Sequence, residues 1–191
     1  LGLLKASSKG HLDIVKYYIN TVIPHSNVQD FVGFLSNCCC NCITPLHTAC
    51  QYGQNEIVKY FLTCHDLVSS QIKHSKDRTP YHIACQYGSL KCLKSLVDYG
   101  DKLIPCEYQL IEIFNAAIIN GHCDIAVYLM KKNNMVISFT MILAAIGAEY
   151  FDIAKVLIEN SDLKYQSCWP IIESLYKLIC PGNDLMNNNE S

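Results

Sequence analysis

The sequence predicts an all-α chain, a solenoid of stacked helix-turn-helix units with short loops or hairpins on one side. Three observations carry this. The phrase TPLHTACQYG at Thr44–Gly53 returns 35 residues later as TPYHIACQYG at Thr79–Gly88, identical at eight of ten positions. An alanine anchors related phrases at Ala6, Ala49, Ala84, Ala117 and Ala145, at spacings of 43, 35, 33 and 28 residues. After each phrase comes an apolar stripe at i, i+1, i+4 and i+5, one face of a helix. A lone helix pair cannot bury such a stripe. Stacked copies bury it as a continuous core, so each copy must fit its neighbours and the sequence repeats.

The units are expected at about 1–20, 44–66, 79–100, 112–132 and 140–160, within a single array over 1–180. The first helix of a unit opens at Thr44-Pro45 or Thr79-Pro80. Threonine accepts a backbone N–H bond as a cap, and proline fits the first helical position, which has no intrahelical donor to lose. That helix closes at Gly10, Gly53, Gly88 and Gly121, where a left-handed residue reverses the chain. In the fifth unit Glu149 stands at this place, and a differently built turn is expected. The second helix carries the stripe: Ile14, Val15, Tyr18 and Ile19; Ile57, Val58, Phe61 and Leu62; Cys92, Leu93, Leu96 and Val97; Ile125, Ala126, Leu129 and Met130; Ile153, Ala154, Leu157 and Ile158. An acid precedes it at Asp13, Glu56, Asp124 and Asp152, where the helix dipole favours negative charge; the third unit has Lys91 instead. Lys16, Lys59, Lys94 and Lys155 mark the solvated outer face.

The insert 21–43 separates units one and two. Residues 163–180 read as a capping helix or degenerate unit with a stripe of Ile171, Ile172, Leu175, Leu178 and Ile179. Residues 181–191 are polar and expected to be disordered. The chain opens on Leu1 with no Thr-Pro, which reads as a piece of a longer chain with more repeats ahead of it.

Half of the 191 residues are hydrophobic, the net charge is −2 and the sequence pI is about 6.4. No dense Lys/Arg stripe exists, which argues against nucleic acid as partner. The uncharged run Met135–Ala148 has 14 residues against the roughly 20 needed to span a bilayer, so no membrane insertion is expected. Several of the twelve cysteines, such as Cys50, Cys85 and Cys92, fall inside helical apolar patterns, where a free thiol acts as a small hydrophobe. No signal peptide is visible, and a reducing, cytoplasmic location and a monomer are expected.

Thr-Pro-Leu-His-x-Ala-Cys-x-x-Gly followed by Ile-Val and an apolar stripe resembles the ankyrin repeat. The match is most specific at Thr44–Leu62 and Thr79–Val97, good at Leu3–Ile19, and weaker at Ile113–Met130 and Ile142–Ile158. The resemblance implies protein–protein binding rather than catalysis. It also implies that His47 and His82 make hydrogen bonds that tie the Thr turn and the neighbouring unit. On this reading Thr44, Pro45, His47, Gly53, Thr79, Pro80, His82, Gly88 and Gly121 are structural.

A sharper chemistry is open to His47/Cys50 and His82/Cys85, each pair three residues apart on one helix face, as a nucleophile and its base would be. Its duplication favours scaffold. Cys38, Cys39, Cys40 and Cys42, followed by His47, offer zinc-type donors, but adjacent cysteines rarely all reach one tetrahedral ion. No cofactor or metal is expected, and a metal- or redox-sensing module built on Cys38–Cys42 is the alternative function. A further alternative is the ankyrin portion of a larger enzyme or channel. The expected function is to bind another protein through the concave face that this family forms. Gln51, Tyr52, Gln86, Tyr87 and Asn120 have no cap or stripe duty, and Ile43 and the run Lys76, Asp77, Arg78 adjoin them. Tyr52 and Tyr87 are the expected anchors.

Overall fold

Thr-Pro starts a helix where the sequence places it, and each anchor alanine lies two or three residues before the end of one. The computed structural model describes residues 2–22, 43–64, 79–99, 107–133, 135–161 and 169–179. The Cys38–Cys42 cluster, the Lys76–Arg78 run and the tail from 180 lie outside the described residues. Among the described residues every regular element is helical, as expected. The chain falls into two bodies, residues 1–113 and 114–191.

The first body contains three helix pairs: α1 (Gly2–Lys9) and α2 (Leu12–Tyr17), α3 (Pro45–Gln51) and α4 (Asn55–Thr63), α5 (Pro80–Gln86) and α6 (Leu90–Tyr99). First helices stack on first helices, α1 on α3 and α3 on α5; α4 stacks on α6. The core lies between the two rows. Ile57, Val58, Phe61 and Leu62 of α4 are all buried, as are Cys92, Leu93 and Leu96 of α6. Each large aliphatic or aromatic side chain so buried stabilises the fold by about 1.5–3 kcal/mol. Three stripe residues depart from expectation, Tyr18 being half-buried. Val97 is half-buried, and Ile14 is 46% exposed. Among the described residues the stripe of α2 is covered by its own α1 and by α4, and these reach Val15 and Ile19 but leave Ile14 open. A π-turn, Tyr18–Val22, continues α2 and brings Asn20 Oδ1 within 3.0 Å of the Tyr60 hydroxyl on α4.

The two positions at which the repeated decapeptides differ have separate physical reasons. Leu46 is wholly buried, and its counterpart Tyr81 is nearly so, at 3% exposure. A buried phenol needs a partner, and Tyr81 donates to the Leu96 carbonyl at 3.0 Å. Thr48 donates back to the Thr44 carbonyl at 3.1 Å; its counterpart Ile83 is buried apolar surface instead.

Helix α7 (Glu107–Ile119) runs from the first body into the second, which continues with α8 (Cys123–Asn133), α9 (Phe139–Gly147), α10 (Phe151–Glu159) and α11 (Trp169–Ile179). Helix α7 begins five residues before the unit start expected at 112. Glu112 and Asn115 occupy the places of the capping Thr and His, five and two residues before the anchor alanine, so nothing stops the helix there. In the second body α10 packs against α8, α9 and α11. The stripes Ile125, Ala126, Leu129, Met130 and Ile153, Ala154, Leu157, Ile158 are buried throughout. The stripe expected on the last helix is corrected. Ile172 and Tyr176 face inward, while Ile171 is 55% and Leu178 79% exposed. The Tyr176 hydroxyl reaches Glu159 on α10 at 3.3 Å, which places the i, i+4 pair 172/176 against that helix.

All five turns are built alike. The anchor carbonyls of Ala6, Ala49, Ala84, Ala117 and Ala145 accept from the N–H five residues on, at 2.8–3.0 Å, the longer bond of a Schellman motif. Gly10, Gly53, Gly88 and Gly121 take φ of 79°, 67°, 73° and 77°. Glu149 takes φ 63°, so the expectation of a different turn is overturned. The bonding pattern holds the left-handed conformation even where a Cβ opposes it.

Candidate functional site

Because the turns repeat, the residue just before each closing glycine leaves the backbone in the same way. In the first body these residues are Lys9, Tyr52 and Tyr87. Tyr52 and Tyr87 are the C-caps of α3 and α5, with φ/ψ of −98°/11° and −105°/8°. Their N–H groups bond back to Thr48 and Ile83 at 3.1 and 3.0 Å. Their backbones are thus committed and their side chains are not: Tyr52 is 58% and Tyr87 47% exposed. Lys9 is exposed, while Gln51 and Gln86, one residue earlier, are half-buried. Since α1, α3 and α5 stack in order, these side chains form one edge. Ile43 is half-buried beside the Thr44 turn. Asn120 belongs to the second body, where its exposed amide donates to the Ala116 carbonyl at 2.7 Å and closes α7.

The repeated histidines hold the opposite, N-terminal ends of α3 and α5. His47 is 2% exposed. Its Nδ1 lies 3.4 Å from the Thr44 N–H, which donates to it, and 2.7 Å from Thr44 Oγ1. The His47 N–H donates to that same hydroxyl oxygen at 3.4 Å. At the next unit the Thr79 N–H donates to His82 Nδ1 at 3.3 Å, with Oγ1 at 2.9 Å. These contacts make Nδ1 the acceptor and put the ring proton on Nε2. On His82 that nitrogen lies 3.8 Å from Glu112 Oε2 on α7, beyond hydrogen-bond distance, so α7 passes beside the cap of unit three. Glu112 was not among the expected residues, although its distance of five from Ala117 marks it as the counterpart of Thr44 and Thr79.

The arrangement does not support the nucleophile reading. Cys50 is wholly buried. Burial pushes its thiol well above the usual range, and the neighbouring Cys92 and Cys85 add to this. Burial likewise raises Cys85 and pushes Cys92 up to about 11. A nucleophilic cysteine must be a thiolate, and here the neutral form is the one that burial favours. Among the described residues no three His, Cys, Asp or Glu side chains converge as a metal site, and no helix is long and apolar enough to cross a membrane.

Comparison with known proteins agrees with this geometry. The protein-family model for ankyrin repeats, in three copies, matches residues 3–106. No curated protein matches. Among solved structures, the human ASB11 ankyrin repeat domain superposes with a TM-score of 0.59 at 19% identity, over 86% of this chain and 71% of that one; at that identity the likeness is one of fold. The family match covers the three units whose caps, turns and stripes are described above, more than half of the chain. On that evidence the chain belongs to the ankyrin-repeat family.

Proposed function

We propose that this chain is a protein-binding module that holds a partner protein on the Lys9–Tyr52–Tyr87 edge of its first body, with Tyr52 and Tyr87 as anchors. Ankyrin repeats are in general protein–protein interaction modules, and the observation that supports this particular surface is the exposure of the two tyrosines. Each caps its helix through its backbone alone, which leaves the side chain exposed. Tyrosine supplies large amphipathic contact area at low conformational cost and is enriched among residues that dominate binding energy. Gln51 and Gln86 add adaptable hydrogen-bonding groups beside them. The buried free thiols of Cys50, Cys85 and Cys92 suit a reducing compartment, and we place the protein inside the cell.

The test is the double variant Tyr52→Ala with Tyr87→Ala against a partner captured from the native cell. Binding is expected to weaken at least tenfold, about 1.4 kcal/mol, with unchanged helical circular dichroism. Equal binding by the folded double variant would remove this edge as the surface.

A further inference from the structure

We infer that the Lys9–Tyr52–Tyr87 edge takes a partner segment in the polyproline II conformation, with an acidic residue three positions from the proline seated on Tyr52. The inference rests on the proposed function and names the chemistry of its ligand.

The argument begins with spacing. The three side chains sit at equivalent places on stacked helices α1, α3 and α5. Packed helices lie about 8–10 Å apart, so the edge offers one docking position per step of that length. A bound segment matches it if its own side chains recur on one side at the same interval. An α-helix repeats each turn at about 5.4 Å. A β-strand presents one face every second residue, about 6.6–6.8 Å. Polyproline II has three residues per turn and rises about 3.1 Å per residue, which brings every third side chain back at about 9.3 Å. Of the three, only this period stays in register with Lys9, Tyr52 and Tyr87 together.

The chemistry of the edge agrees. Aromatic faces are what proline rings pack on in known recognition of this conformation, and both tyrosine rings are exposed. Polyproline II makes no internal hydrogen bonds, so its carbonyls need donors from outside. Gln51 stands one residue before Tyr52, half-buried, and carries amide donors. The row Ser8, Lys9, Gln51, Tyr52, Gln86, Tyr87 holds one charge, the exposed Lys9. A matching segment is therefore uncharged over the tyrosines and acidic where it passes Lys9. The conformation is nearly symmetric end to end, so the acid stands at either end of the segment.

The probes are end-blocked, fluorescently labelled nonapeptides: Asp followed by eight Pro, eight Pro followed by Asp, nine Pro, and an Asp-bearing Gly/Ser nonamer. Fluorescence anisotropy with the purified protein reads affinity. One Asp/Pro peptide is expected to saturate with an affinity about tenfold above both nine Pro and the Gly/Ser peptide. Tyr52→Ala and Tyr87→Ala should each cut it about fivefold. Lys9→Glu should abolish the preference for Asp and transfer it to a Lys/Pro peptide. All of these variants must keep the parent circular dichroism. Equal affinity for the Asp-bearing Gly/Ser peptide overturns the inference, because charge alone then explains binding. So does an Asp preference that survives Lys9→Glu, or no saturable binding of any proline peptide. If the proline peptides fail while a captured partner still depends on Tyr52 and Tyr87, the inference falls and the proposed function stands. If the partner ignores the two tyrosines, the proposed function falls as well.

Discussion

At the scale of single residues, the repeated histidines and the lone left-handed glutamate have the most to answer for. His47 satisfies a buried turn from within, and removing its ring leaves the Thr44 N–H and hydroxyl without that partner. His47→Ala is expected to lower stability by about 1–3 kcal/mol. His82→Ala should cost less within that range, since the His82 side chain is 14% exposed and water can reach the vacated site. Urea melts of both variants check the order; two melts identical to the parent would remove the capping role. Glu149 carries the opposite expectation. Its φ of 63° is unfavourable for a side chain with a Cβ, so Glu149→Gly should raise stability by about 0.5–1 kcal/mol after the extra chain entropy of glycine is set against it. Thermal melts would show it. Ser7 is the counterpart of Cys50 and Cys85, and its buried hydroxyl has no partner among the described residues. That contrast explains why a thiol, a weak donor that tolerates burial, suits this position in units two and three.

At the scale of elements, the turns are alike in backbone but not in what covers them. A Cβ at Gly53 would meet nothing nearer than Ser89 Oγ at 3.6 Å, whereas one at Gly121 would fall 2.6 Å from the Tyr150 ring. Both glycines have positive φ. Gly53→Ala is therefore expected to cost about 1–2 kcal/mol, the conformational term alone. Gly121→Ala should cost at least about 1 kcal/mol more, because Tyr150 must swing away as well. Equal losses in chemical denaturation would show that the ring yields freely. The last helix teaches the same lesson about neighbours. Its apolar residues are numerous enough to suggest more than one stripe, and the 172/176 face is chosen by what α10 offers, including the Glu159 carboxylate for Tyr176.

At the scale of the whole molecule, the buried thiols set a limit on alkaline stability. Cys50, Cys85 and Cys92 are each raised by burial, Cys92 to about 11. Burial also raises Tyr81, to about 12, with Cys50 adding to the shift. A group raised in the folded state holds its proton there after the unfolded chain has lost it. Stability from these groups is complete below the ordinary thiol value of about 9 and falls as pH rises past it. The loss continues until each folded value is reached, at about 1.4 kcal/mol per pH unit for each thiol. Denaturation midpoints should be flat between about pH 7 and 8.5 and drop steeply by about pH 10.5, and Cys50→Ala should flatten the drop. The same three thiols should resist a thiol reagent at about pH 8 in the native protein and react once it is unfolded. Fast labelling of Cys50 in the native state would contradict its burial.

The sequence by itself determined the repeat, the helix pairs, the caps and most of the buried stripes. These follow from local rules: a threonine and proline to start units two and three, a glycine to reverse the first four, and apolar residues at helical spacing in all five, while the histidine that closes the cap is what the family resemblance implied. Subtracting the stripe and N-cap positions also left Tyr52 and Tyr87, whose side chains are exposed; their role as anchors is the proposal made above. Tertiary structure decided what depends on neighbours. Which stripe residues stay open, as Ile14 does, depends on the helices that stack against them. That Glu149 adopts a glycine's conformation depends on the anchor carbonyl bond outweighing its Cβ strain. That Glu112 comes to lie beside His82 depends on α7 continuing where a Thr-Pro cap would have ended it. A spacing rule contains none of these, since each is settled by a competition between a residue's own preference and the surface that stacking brings to it.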